Sequence, residues 1–224
     1  MSSASPRYLD RPQADTHDAD ATFSLPYGMT ADGTVAGINE IYAYLHALNR
    51  ASIDHGYPRL VDLMQPAGFS GLLSQLLAHA IARQFANAAP GLVVNQFPNG
   101  WPDLVPRALY ATDAIQHGDE GVEVKVSRFQ TSWQGHNPER GWIMIAQVSV
   151  DRETQPVYDR VPTTFERLML ARLELGDWTF AGRGSRSRRT PTASINQTGR
   201  EKLLRGIVYR RGGAPPVSSG GSLG

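Results

Sequence analysis

Asp103 and the Glu123-Val124-Lys125 triplet carry the residue types and spacing best suited to chemistry in this chain. They lie in WPDLVPR (101–107) and GVEVKVSR (121–128), two short stretches that read as strands. Lys125 sits two residues past Glu123, so in an extended strand both side chains leave the same face. Val122, Val124 and Val126 alternate with Glu123, Lys125 and Ser127, giving one apolar face and one polar face. Two carboxylates beside a lysine suit a divalent cation such as Mg²⁺, which takes hard oxygen ligands and only one or two protein carboxylates. The lysine could then steady a hydroxide or the charge developing on a phosphate, so the chemistry indicated is metal-assisted phosphodiester hydrolysis. The plainer alternatives are a Pro-Asp turn and a solvated charged strand face.

These stretches resemble the PD-(D/E)XK nuclease superfamily. Pro102-Asp103 matches the PD element and Glu123-Val124-Lys125 the (D/E)XK element. The resemblance covers roughly residues 70–150. It implies an α/β fold with a restriction-endonuclease-like core, in which a mixed central sheet is flanked by helices and built on a helix-strand-strand-strand unit. It further implies Asp103 and Glu123 as metal ligands with the Val124 carbonyl, Lys125 as the catalytic lysine, and Mg²⁺ as cofactor with Mn²⁺ able to substitute. One departure stands out. Many members carry an acid on the helix before the PD strand, whereas LLSQLLAHAIARQF (72–85) offers Ser74 and Gln75. Glu40, on an earlier helix, is the candidate substitute.

The elements that must position these residues follow from periodicity and punctuation. Residues 1–34 read as an irregular arm, 35–211 as the nuclease-like domain with a basic C-terminal segment, and 212–224 as a flexible tail. Helices are expected over 38–53 and 70–88, the second capped by Ser70. Strands are expected over 91–97, 102–110, 122–128 and 141–150, with a turn at Asn99-Gly100. Residues 165–180 fit strand and helix in part, with length and leucine content leaning to helix. Thr198 and Glu201 read as a capping box opening a helix, and 207–209 as a final strand.

The 129–142 loop supplies further candidates. His136 could assist proton transfer or simply bond within an Asn-Pro turn, and Gln134 could meet a base edge. Trp133 and Trp142 are expected to pack the loop down. Gln147 falls on the polar side of its strand, a position suited to supporting the site.

Charge distribution points to a polyanion. The formal net charge is +1, yet residues 176–224 hold nine basic and two acidic residues, and the other 175 hold 13 and 19. Arg183, Arg186, Arg188 and Arg189 fall within seven residues, separated by Gly and Ser. Guanidinium forks suit phosphate, so this segment is expected to grip a nucleic-acid backbone; a solvated loop is the alternative. DNA is the expected partner, with RNA left open, and a homodimer is one arrangement that would serve both strands of a duplex.

Composition excludes several classes. With no cysteine, disulfides and Cys-based zinc sites are ruled out, in keeping with an expected cytoplasmic setting. No apolar run is long enough to span a membrane, and no Walker, G-x-S-x-G or H-E-x-x-H pattern occurs. Three readings remain: a restriction-like Mg²⁺-dependent endonuclease acting on DNA, a non-cleaving nucleic-acid-binding protein on the same fold, and an α/β interaction protein.

Overall fold

The computed structural model describes residues 6–15, 24–130, 133–135, 138–181 and 192–213. Two long helices form its first layer. The Thr30 side chain accepts the Gly33 N–H at 3.1 Å and opens α1 (Ala31–Asp54). This start lies seven residues before the expected one, inside the stretch read as an irregular arm. Val35, Ile38, Ile41, Tyr42 and Leu45 give the helix its buried stripe. A single turn, α2 (Leu60–Leu63), leads to α3 (Pro66–Phe85). Here Pro66 occupies the first turn and Gln65 the cap position, so Ser70 lies inside the helix rather than at its start. Phe69, Leu73, Leu77 and Ile81 face the core.

The second layer is a six-stranded mixed sheet: β1 (Leu92–Val94), β2 (Leu104–Pro106), β3 (Val122–Ser127), β5 (Gly141–Ser149), β6 (Thr164–Leu173) and β9 (Ile207–Arg210), in that spatial order. Only β3 and β5 run parallel; the other neighbours are antiparallel. A parallel neighbour requires a crossover, and residues 128–140 supply it. The first two strands are shorter than expected, because β2 leaves the sheet after three residues.

A third layer covers the other face. It comprises a small antiparallel sheet of β4 (Gln134–Gly135), β8 (Thr192–Ile195) and β7 (Trp178–Ala181), together with α4 (Gln197–Arg205). The cap of α4 is Asn196, whose side chain accepts the Gly199 N–H, in place of the expected Thr198.

The central strands are therefore buried on both faces. Met144, Ala146, Leu168 and Leu170 pack toward α1 and α3. Ile143, Ile145, Met169 and Ala171 pack toward Trp133, Trp178, Ile195 and Leu203. This corrects the lean toward helix over 165–180. A strand apolar on both faces loses its alternation, so periodicity alone does not separate it from a buried helix.

Candidate active site

The site grows from the place where β2 and β3 part. Leu104 and Val122 are their one register pair. Continuing that antiparallel register by one step sets Asp103 opposite Glu123. Beyond Val122 no strand among the described residues neighbours the outer edge of β3, and side chains take its donors. The Asp103 Oδ2 accepts the Val124 N–H at 2.9 Å, and the Ser74 Oγ from α3 accepts the Val126 N–H at 3.0 Å. In an extended strand the N–H and C=O of one residue point to the same edge. The Val124 carbonyl therefore faces the side occupied by Asp103.

Asn95 fixes the approach of Asp103. Its backbone N–H donates to the Asp103 carbonyl at 2.8 Å. Its side-chain amide donates to the carbonyls of Pro102 and Ile115 at 2.9 and 2.8 Å, and its Oδ1 accepts the N–H groups of Phe97 and Ile115. Gly121, at φ +136°, admits the crossing of the two chains: a Cβ there would lie 2.1 Å from the Leu104 carbonyl oxygen and 2.5 Å from the Pro102 ring. On the far side of this turn, the Tyr27 hydroxyl donates to Glu120 at 2.5 Å and accepts the Gly121 N–H at 2.9 Å.

Glu123 and Lys125 leave β3 on the face shared with Ile143 and Ile145. The Lys125 Nζ lies 2.8 Å from Glu123 Oε1 and 3.0 Å from Glu139 Oε2. All three side chains are recessed, at 14% exposure for each glutamate and 17% for the lysine. Burial, and then the charge of Glu123, push the Asp103 carboxyl up to about 7, against the lowering effect of the Val124 N–H and Lys125. The neighbouring Glu123 carboxylate thus disfavours a second negative charge on Asp103. Burial works against the charge on Lys125, but Glu123 and Glu139 outweigh it and the ammonium is held more firmly protonated.

Where the charge of Glu123 disfavours ionisation of Asp103, a cation would relieve the like-charge repulsion. With the Val124 carbonyl the two acids form a hard-oxygen donor set of the kind Mg²⁺ accepts, water and phosphate oxygens completing the shell. The residues present therefore fit the ion. Among the described residues, no cluster of three or more His, Cys, Asp or Glu side chains is arranged to hold a metal.

The remaining candidates fall in different places. Gln75 shares with Asp103 the wall of a cleft of about 520 Å³. Glu40, the candidate substitute for the helix carboxylate, pairs with Arg83 and lines a neighbouring cleft with Tyr44 and Leu76. Gln147 is buried and its Oε1 accepts from the Arg167 Nε at 2.8 Å, which ties it to β6 rather than to the acids. Gln134 is exposed on β4 and shares a second cleft, of about 340 Å³, with Lys125. His136, Arg183, Arg186, Arg188 and Arg189 lie outside the described residues.

Glu139 is the partner that motif reasoning missed. It ends the crossover, and the buried Trp178 indole donates to its carbonyl at 2.7 Å, so the third layer holds it against Lys125. No spacing rule links it to the triplet. Its one signal was being the sole carboxylate in the 129–142 loop.

Compared with protein-family models, with curated proteins and with solved structures, the chain matches none.

Proposed function

We propose that this protein is a Mg²⁺-dependent deoxyribonuclease of the restriction-endonuclease-like type. The observation that carries the reading is the convergence of Asp103, Glu123 and Lys125 at the edge of β3, where Asp103 accepts the Val124 N–H and Lys125 pairs with Glu123 on either side of it. The order α3, β1, β2, β3, with β5 laid parallel beside β3, supports the same reading of the fold. Asp103, Glu123 and the Val124 carbonyl would hold the ion, which when bound supplies charge stabilisation at the scissile phosphate and a more acidic water. Lys125, kept cationic between two glutamates, is suited to donate a hydrogen bond to a phosphate oxygen or to orient the attacking water, rather than to abstract its proton. The Arg183–Arg189 segment would add a sequence-independent grip on the backbone.

The test is nicking of supercoiled plasmid with Mg²⁺ or Mn²⁺ by wild type, Asp103→Asn and Lys125→Ala. Each variant is expected to lose about a hundredfold or more in rate. Equal nicking by all three would trace the activity to a contaminant. Retention of DNA with no metal response at Glu123 would favour the non-cleaving reading.

A further inference from the structure

We infer that the DNA strand crossing this site is unpaired; the inference rests on the nuclease reading for its location but not for its test. The acids and the lysine lie between two clefts that share α3 as a wall. One cleft has Asp103 in its wall, with Gln75 and His79 from α3 and Gln96 and Asn99 from the β1–β2 connection. The other has Lys125 in its wall, with Ser70 from α3 and Ser127, Phe129 and Gln134 from beyond β3. Between them, Ser74 touches β3 at Val126. From Ala67 to His79 the helix advances about 18 Å, a track for a few nucleotides.

Three features select a single strand over a duplex. First, the reacting groups are recessed, so the phosphate must descend between the walls. A flexible strand can do this, while the backbone of a stiff duplex is held out by its partner strand. Second, the clefts offer amides, hydroxyls and an imidazole, groups that read the exposed edges of unstacked bases. Among the described residues lining them, Arg128 is the one Lys or Arg besides Lys125. Third, Phe129 is a built stacking platform. The residue is 62% exposed, yet its N–H donates to the Ser127 Oγ at 3.0 Å and its carbonyl accepts from the buried Trp133 Nε1 at 3.2 Å. A pinned backbone presenting an open aromatic ring at the cleft beside Lys125 suits base stacking.

The experiment measures fluorescence anisotropy of full-length Asp103→Asn protein in EDTA, with a labelled single-stranded DNA and the same sequence as a duplex. The single strand is expected to bind at least about tenfold more tightly. Phe129→Ala is expected to weaken single-strand binding about tenfold, and Phe129→Trp to restore it. Duplex binding as tight as single-strand binding, or Phe129→Ala without effect, would overturn the inference. Because no cleavage is measured, failure of the nuclease reading in the plasmid assay leaves this result standing, and the reverse holds too.

Discussion

The Asp103 carboxyl accepts the Val124 N–H and also lies against Glu123, and these contacts push its proton affinity in opposite directions. Burial and Glu123 prevail, so the folded protein holds near pH 7 a proton that an exposed aspartate releases near 3.8. Between those values the native state binds more protons than the unfolded chain, and stability must fall as pH rises through the window and level off above it. In EDTA, the melting temperature should therefore drop between about pH 4 and pH 7, and Asp103→Asn should flatten the drop. Added Mg²⁺, if held by these acids, should raise it more above the window than below, since it would compete with the Asp103 proton. A slope identical in wild type and Asp103→Asn would assign the effect to other groups. Glu139 invites a second measurement. Glu139→Gln keeps the shape but removes one of the two charges holding Lys125, and the nicking rate should fall about tenfold while the denaturant midpoint barely moves. An unchanged rate would show that Glu123 alone positions the ammonium. The alternation around Glu123 and Lys125 was legible because a strand's period of two fixes which side chains share a face. Glu139 was not, because a crossover loop has no period to read.

At the scale of elements, the site depends on β2 and β3 touching at one register pair and then parting. Gly121 permits that contact. Gly121→Ala should destabilise the protein by about 1–3 kcal/mol, combining strain at positive φ with a clash against Leu104 and Pro102. It should also lower nicking, because Asp103 is the residue between those two. A denaturation curve and a plasmid assay on the same preparation check both, and wild-type stability would show that the turn relaxes freely. The turn between β1 and β2, and β3 itself, stood out in the sequence through Asn99-Gly100 and the valine alternation. The start of α1 did not, because Gly33 and Gly37 look like helix breakers. In the fold Gly33 allows close packing, since a Cβ there would strike the Phe85 ring at 2.5 Å. The β6 strand was obscured for the opposite reason, since burial on both faces left no polar side to mark it.

Across the whole molecule, three layers cooperate: α3 holds the outer edge of β3, the central sheet carries the acids, and the third layer delivers Glu139. That third layer was the part least visible in the sequence. Its strands have two to four residues each and come from segments some 60 positions apart, as the Gln134–Ser194 pairing shows. The charge asymmetry, by contrast, needs no fold to be read. Replacing Arg183, Arg186, Arg188 and Arg189 with alanine should lower DNA affinity and reduce the slope of log K against log salt by roughly 3 to 4, with the response to Mg²⁺ intact. An unaltered slope would make the segment a bystander. The outer margin of β3 has one more consequence. Asp103 and Ser74 cover two backbone donors that would otherwise lie open like the rim of an unfinished sheet. Such rims recruit strands from other molecules. Asp103→Ala combined with Ser74→Ala should therefore yield a protein that clumps on concentration, visible as a growing scattering signal. Asp103→Asn keeps an oxygen at that rim and should stay dispersed.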